Sequence, residues 1–498
     1  MAEPQSVWLV DEPTPKSAPL ASDVTADVCV IGGGIAGLTA AYRLQDVGRS
    51  VLVLDAREPG GGETAFTTAH LTWELDDRFS RLAEVRGDEV AKAAAASHRR
   101  AIDDIERVAR AEKFDCDFVR VDGYLFPGLD GTKALDEERE AVRRLGLEHE
   151  EVASVPLARR PGLRFPGHAR FHPVKYMNGL VAAVRRRGGQ VHGGTRAVKI
   201  AGGDQCRVEL EDGSAVTAKA VVVATNAPFE AGLTLHLRLA AYTTYALALP
   251  VPANTVPDAL YWDTEDPYHY VRLLPTAGRG ADLLIVGGED HKTGQASDQD
   301  ERWGRLAEWA RGLVPAAGEP AYRWSGQVFE TADGLGLIGA APWGKNVYVI
   351  TGDSGMGLTH ATLGGRLVAD LIAGRENPLA AVYDPGRWTP AAAFELMKEN
   401  ANVAAQYADW VTGGEVNSPD QIPPGHGAII RRGLTKVAVY RREDGSLCER
   451  SATCPHLGAI VRWNPGEQTW DCPAHGSRFT CEGKVLHGPA VSALEKVE

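Results

Sequence analysis

The sequence predicts an α/β dinucleotide-binding fold that carries an inserted sheet-rich domain and ends in a small all-β domain. Three observations lead there. The stretch Asp27-Val28-Cys29-Val30-Ile31-Gly32-Gly33-Gly34-Ile35-Ala36-Gly37-Leu38 reads as a short buried strand, a glycine turn and the start of a helix. Residues 242–324 turn aromatic and strand-like, with Tyr245, Tyr261, Trp262, Tyr268, Tyr270 and Trp303 among them. The last stretch, about 75 residues of strand and turn patterns, holds four of the seven cysteines: Cys448, Cys454, Cys472 and Cys481.

In the first stretch Gly32, Gly34 and Gly37 fill a G-x-G-x-x-G pattern. The first glycine permits a tight turn, the second lets backbone N–H groups approach a pyrophosphate, and the third lets helix and strand pack closely. The helix Ala36 to Val47 then points its positive end at the phosphates. A second apolar strand, Val51 to Leu54, ends in Asp55, 18 residues after Gly37. An acidic side chain there can hold ribose hydroxyls. The loop Gly60 to His70 follows, rich in glycine and hydroxyls, and Thr64, Thr67 and Thr68 are its candidate cofactor contacts. Late in the chain Val347 to Thr351 leads into a second glycine loop, Gly352 to Gly357, and a helix from Thr362 to Ala373. Gly352, Asp353 and Gly357 are candidate contacts here. A second G-x-G-x-x-G is missing, so reducing equivalents are expected from a substrate or a protein partner rather than from a nicotinamide nucleotide.

Composition bounds the function. The chain has 498 residues, 44% of them hydrophobic, and no apolar run near the roughly 20 residues of a membrane span. The N-terminus is acidic and proline-containing, with neither a basic region nor twin arginines, so a cytoplasmic location is expected. A net charge of -13 argues against nucleic acid or an anionic membrane as partner. Seven cysteines in such a length are not a disulfide framework, and their crowding near the end asks for a metal.

Between the cofactor motifs, the pattern predicts an extended arm up to about Thr25, a long Ala-rich helix from Arg86 to Glu112, a strand over 121–126 and a helix over 135–145. A helix begins near Phe171-His172-Pro173 and ends in Arg185-Arg186-Arg187, a basic cluster read as a solvated helix end. Alternating strands follow at 197–200 and 207–210, and the apolar strand at 220–226 would return to the nucleotide sheet. Runs such as Tyr268 to Leu274 and Leu283 to Gly288 fit an antiparallel sheet, which would wall a substrate pocket. Tyr270 and Arg272 sit on it, and Arg272 is the candidate clamp for a substrate carboxylate because a guanidinium grips one bidentately.

Near the C-terminus, Cys454-Pro455-His456 and Cys472-Pro473-Ala474-His475 give C-x-H, fifteen residues, then C-x-x-H. Two thiolates and two imidazoles can bind zinc. The pairing, with glycine after each set in a small β domain, is the pattern of a Rieske [2Fe-2S] centre, in which Cys454 and Cys472 would hold one iron and His456 and His475 the other. Gly458 to Leu494 resembles the bacterial Rieske domain. Relative to respiratory Rieske proteins, Ala459 and Ala474 stand where a disulfide joins the ligand loops, and Phe479 replaces a tyrosine that donates to the cluster, while Ser477 is retained. Fewer donors leave the reduced cluster less stabilised, so a potential in the lower half of the Rieske range of about -150 to +300 mV is expected. Cys448 and Cys481 are read as structural or free thiols.

With the two glycine loops and Asp333-Gly334-Leu335-Gly336-Leu337-Ile338-Gly339, residues 25 to 385 resemble the D-amino acid oxidase (DAO-like) family. That resemblance implies an FAD-binding Rossmann-like fold with an inserted mixed or antiparallel substrate domain, and oxidation of C–N bonds of amines or amino acids. Gly336 stands where many members have proline. Phe66 is the nearest match to the flavin-linking histidine of one branch, with His70 four residues on, so non-covalent FAD is expected. The domain limits read from these motifs are an arm at 1–24, an FAD-binding domain at 25–75, 160–228 and 330–385, a substrate domain at 76–159 and 229–329, a helical linker at 386–422 and a Rieske domain at 423–498. The expected activity is hydride transfer from an amine or amino acid to FAD, with electrons passing singly through the Rieske cluster to an external acceptor such as a redox protein. Two alternatives stay open at this point, a reductase or oxygenase fed by a ferredoxin-like donor and a redox sensor with negligible turnover. Direct oxidation by oxygen is also open.

Overall fold

The computed structural model describes residues 5–129, 131–230, 235–276 and 280–497. Its first sheet is built from short apolar strands. Val28 to Ile31 and all of Val51–Leu54 are buried, as parallel strands covered on both faces require. Eight strands take part, in the order Leu337–Ala340, Val347–Thr351, Ala215–Asn226, Val24–Ile31, Val51–Leu54, Gln190–His192, with Cys206–Leu210 paired to Ala215–Asn226 and Ala197–Ala201 paired to Cys206–Leu210. Ile31 lies in register with both Val223 and Leu54. The first and second strands therefore end level with each other, the third runs on to Asn226, and their loops gather at one carboxyl edge, where ligands bind in such sheets.

Helices Ile35–Asp46 and Gly357–Ile372 pack on this sheet and on each other. Their approach depends on glycine: a Cβ on Gly365 would stand 2.7 Å from the backbone nitrogen of Ala40. The second helix begins at Gly357, five residues before the expected Thr362, so its N-terminal turn belongs to the glycine loop.

A nine-stranded sheet forms the second layer, in the order Tyr322–Thr331, Leu239–Pro252, Ala281–Lys292, Tyr270–Leu274, Leu260–Asp263, Val119–Phe126, Gly162–Arg170, His70–Leu71, with Glu150–Val152 paired to Gly162–Arg170. It is antiparallel except where Leu260–Asp263 runs parallel to Val119–Phe126. The helix Gln299–Leu313 covers one face through Trp303, Leu306 and Ala310, all buried.

Four expectations need correction. The strands His70–Leu71 and Gly162–Arg170 pair in the second sheet, so the nucleotide-domain limits of 25–75 and 160–228 include residues of the substrate sheet. The long helix expected from Arg86 begins two residues later, as Asp88–Glu112, because Gly87 with φ 84° separates it from a preceding helix, Arg78–Arg86. The N-terminal arm is not merely extended: Val7–Asp11 is a helix whose Trp8 is fully buried and donates from Nε1 to the Thr67 carbonyl at 2.6 Å. The hydrophobic demand of one tryptophan docks the arm. The strand expected from Tyr268 begins at Tyr270.

The C-terminal region is all antiparallel: Thr435–Arg441 lies between His426–Arg432 and Leu447–Ser451, and Arg462–Asn464, Thr469–Asp471, Arg478–Thr480 and Val485–His487 form a second small sheet. The preceding helix Ala393–Gln406 buries none of its residues. It holds to the second sheet by Lys292 Nζ to Glu399 at 2.6 Å and by Gln295 to Asn402 at 2.7 Å. Just after it, Tyr407 and Trp410 donate to the carbonyls of Leu457 and Gly458, both at 2.9 Å.

Candidate functional site

A cavity of about 570 Å3 runs from the carboxyl edge of the first sheet to the face of the second. Gly32, Gly34, Asp55, Thr64, Thr67, Thr68, Asp353 and Gly357 line it. Gly37 and Gly352 do not, and act on the backbone instead. A Cβ on Gly37 would stand 1.8 Å from the Gly32 carbonyl oxygen, which is the close helix-to-strand packing the motif requires, and Gly352 turns the chain at φ 69°. Asp55 accepts from the Gly33 N–H at 2.7 Å and from the Arg57 N–H at 2.8 Å, and burial raises its pKa. Thr64 Oγ1 accepts from the Ile35 N–H at 3.2 Å and so ties the hydroxyl loop to the first turn of the helix. These groups fit a dinucleotide: Asp55 would hold its ribose and Gly32 to Gly34 its pyrophosphate.

The second glycine loop is fixed by a histidine that belongs to no motif. His360 Nδ1 donates to the Asp353 carbonyl at 2.8 Å, and its Nε2 accepts from the Gly336 N–H at 3.2 Å. A proline at 336 has no N–H to give, so the departure at Gly336 is matched by this bond. Asp333 in the same segment is gripped by Arg86 and Arg387, each at 2.6 Å, and despite its burial they hold its carboxyl well below the usual range.

On the substrate side the structure separates the two proposed catalytic residues. Tyr270 lines the cavity, with its hydroxyl 2.8 Å from Thr244 Oγ1 and its ring edge-on to His70. Arg272 is fully buried behind the wall. Its guanidinium donates to the carbonyls of Ala69 and Phe171 and lies over the Trp8 ring. It is a structural cation, not a carboxylate clamp: alternation along the strand sends neighbours two apart to one face, but a buried loop carbonyl pair captured this side chain. Phe66 and His70 both line the cavity, and His70 Nε2 is buried without a partner among the described residues.

The four expected cluster ligands converge. The sulfurs of Cys454 and Cys472 interact directly, and this contact, with the backbone N–H groups of Ala474 and His475, favours the Cys472 thiolate. The rings of His456 and His475 lie 5.2 Å apart, and Nδ1 of each is buried without a hydrogen-bond partner. Two orphaned nitrogens beside two thiols form the donor set of a Rieske centre. Among the described residues every cysteine is free, including Cys448 and Cys481.

This ligand set sits against the flavin half of the same chain. Gln327 Nε2 donates to the Gly476 carbonyl at 2.7 Å and Gln295 Nε2 to the Pro473 carbonyl at 2.9 Å. Nε2 of His236, a residue 6% exposed, is 3.3 Å from Nε2 of His456. Leu486, His487, Gly488, Ala490 and Val491 are part of the cavity wall. His487 Nδ1 lies 2.9 Å from Glu63 Oε1. Burial lowers the His487 pKa, whereas Glu63 is held below its ordinary range, against its own burial, mainly by His487. A neutral imidazole N–H donating to a carboxylate satisfies both. None of His236, Glu63, His487 or Gln327 carries a sequence motif; only the tertiary contact brings them to the site.

The family model of FAD-dependent oxidoreductases (DAO) matches residues 27–371, and that of the Rieske [2Fe-2S] domain matches residues 414–498. The chain belongs to the DAO family of FAD-dependent oxidoreductases. It carries a C-terminal Rieske domain, and its cofactors are FAD and a Rieske [2Fe-2S] cluster. A Rieske 2Fe-2S iron-sulfur protein of Bacillus subtilis strain 168, YhfW, is 30% identical over 99% of this chain and 98% of its own length. The gamma-glutamylputrescine oxidoreductase of Escherichia coli K12 is 26% identical over 71% of this chain and 85% of its own. Among solved structures, glycine oxidase from Geobacillus kaustophilus superposes with a TM-score of 0.61 at 19% identity, covering 73% of this chain and 99% of its own, a likeness of fold. The DAO-family chain is thus an FAD-dependent oxidoreductase of the amine and amino acid oxidase type. Among the described residues no helix is long and apolar enough to cross a membrane.

Proposed function

We propose that this DAO-family enzyme oxidises a C–N bond of a small amine or amino acid in the cavity and delivers the electrons to its own Rieske centre, and from there to an external redox partner. The observation that carries the reading is the shared wall: Leu486, His487, Gly488, Ala490 and Val491 of the Rieske domain and the glycine loops of the flavin domain line one cavity. Bound FAD supplies a hydride acceptor and the Rieske cluster a one-electron relay.

The chain's own residues then have the following work. Gly32, Gly34, Asp55 and Thr64 would hold the adenosine and pyrophosphate, while Asp353 and Gly357 close over the far end. An amine must be neutral to lose hydride. Asp76 lines the cavity, accepts from the Tyr268 hydroxyl at 2.7 Å, and burial lifts its pKa to about 7. It can therefore take the ammonium proton near neutral pH. Tyr270, fixed by Thr244, walls the substrate space. Exit to a partner would lie at the first ligand loop, where Leu457, beside His456, is 42% exposed.

The test is an anaerobic titration of the purified holoprotein with amines and amino acids, following flavin absorbance together with the reduced-cluster EPR signal. Flavin bleaching followed by the cluster signal supports the reading. Reduction of both centres by a reduced ferredoxin alone, with every amine and amino acid inert, would replace it with inward electron flow.

A further inference from the structure

Resting on the amine-oxidation reading, we propose that the substrate is an aliphatic di- or polyamine, a cation bearing at least one ammonium group beyond the nitrogen oxidised, rather than an amino acid. The charge of the wall carries this. Inside, Glu74, Asp76, Asp290 and Glu330 line the cavity, with Asp77, Glu265 and Asp266 joining the lining from neighbouring segments. The cations of the lining are Arg57, Arg78, Arg81 and Arg196, and no lysine is among them. Arg57 and Arg196 act on Asp55, at the nucleotide end. Arg78 and Arg81 act on Asp77. Within the inner group Arg78 also acts on Glu74, and Arg302 and His269 act on Asp290, but none of them closes a contact: among the described residues none of Glu74, Asp76, Asp290 and Glu330 forms an ion pair.

Two of these carboxylates carry an unsatisfied oxygen. Glu74 is 2% exposed and its Oε1 has no hydrogen-bond partner; Oδ1 of Asp290 is likewise buried and unpartnered. They lie near enough to repel one another, since Asp76, Asp77 and Asp290 each push up the pKa of Glu330. Leaving such groups unpaired away from water is costly, and an ammonium group among them removes the cost. Aromatic faces complete the lining. Tyr268 and Tyr270 lie 5.4 Å apart and Trp262 shares the wall, surfaces that attract an ammonium or its flanking methylenes.

An amino acid meets the opposite situation. Its carboxylate would add a further negative charge, and the buried arginines of that sheet are engaged elsewhere, Arg272 on the carbonyls of Ala69 and Phe171 and Arg170 on Asp258. A chain of methylenes with ammonium groups at both ends suits a site with acidic groups both inside and along the lining.

The experiment uses the full-length holoprotein and two readouts, calorimetric binding and anaerobic flavin bleaching, with spermidine and putrescine set against glycine, sarcosine and D-alanine. Spermidine is expected to bind at least about tenfold more tightly than any of the amino acids, more weakly as salt is raised, and about tenfold more weakly in Glu330→Gln. Removing an uncompensated carboxylate also raises the melting temperature of that variant; Asp290→Asn repeats the test should Glu330→Gln not accumulate. Bleaching by an amino acid with no calorimetric binding of spermidine overturns the polyamine assignment while amine oxidation stands. Spermidine binding that depends on Glu330, with no bleaching by any compound, upholds the cation site and removes the oxidase reading. No binding of either class overturns the assignment.

Discussion

Ser477→Ala tests how the chain sets the potential of its cluster. Ser477 is fully buried; its Oγ accepts from the Ala490 N–H at 3.0 Å, which leaves the hydroxyl proton for the Cys454 sulfur, whose thiolate it favours. A hydrogen bond to a charged group contributes about 1.5–3 kcal/mol. The sulfur carries charge in both oxidation states, so roughly half of this distinguishes the reduced cluster, about 1 kcal/mol. At 59 mV per tenfold in a one-electron couple, that lowers the potential by about 40 mV. The variant also leaves the Ala490 N–H without its acceptor, a stability loss of about 1–3 kcal/mol that a thermal melt would register. Redox titration monitored by EPR reads the potential, and iron and sulfide content confirms that the cluster is assembled. An unchanged or higher potential with full cluster content would refute the reasoning.

Other consequences can be checked in the same way. In His236→Phe, loss of the acceptor facing His456 Nε2 makes that ligand less electron-donating, so the potential should rise by about 40 mV for a bond of about 1 kcal/mol; a fall would show that His236 does not accept from His456. Gly37→Ala drives a methyl group into the Gly32 carbonyl and should yield protein with little bound FAD, read from the ratio of flavin to protein absorbance. Arg272→Met should lower the melting temperature by exposing two carbonyls to an apolar neighbour, with no rise in KM; a selective KM rise for carboxylate substrates would restore the clamp. The last concerns pH. Asp76 has a folded pKa near 7 against 3.8 unfolded, so the folded state holds the extra proton between those values, and its contribution to stability falls as pH rises through that window. Asp76→Asn should therefore melt close to the unsubstituted protein at pH 4 and progressively above it up to pH 8.

Legibility in the sequence tracked how local each feature is. The glycine turn and the cluster ligands are contiguous patterns whose spacing alone constrains the backbone, so Gly32, Gly34, Cys454, His456, Cys472 and His475 could be named without a fold. The carboxylates of the cavity could not. Glu74 and Asp76 lie just before the helix Arg78–Arg86, Glu330 is the last residue but one of the strand Tyr322–Thr331, and Asp290 follows Glu289, whose φ of 61° accompanies a register shift between Thr243 and Tyr245. Such a bulge re-aims a side chain in a way strict alternation cannot foretell. Arg272 failed for a related reason: strand position gave its face, but the fate of a guanidinium depends on which carbonyls the distant Ala69 and Phe171 present. The start of the long helix was placed two residues early because the boundary is set by the positive φ of Gly87, which the alanine-rich pattern beyond it does not show.

The central claim is that flavin and cluster of one chain exchange electrons across the wall they share. The most direct measurement is a single-turnover experiment under anaerobic conditions, in which substrate is mixed with holoprotein at several protein concentrations and the cluster EPR signal is sampled by rapid freezing. The account predicts that cluster reduction follows flavin bleaching with a first-order rate that does not change with protein concentration. A rate proportional to protein concentration, or a cluster that stays oxidised while the flavin remains bleached, would contradict it.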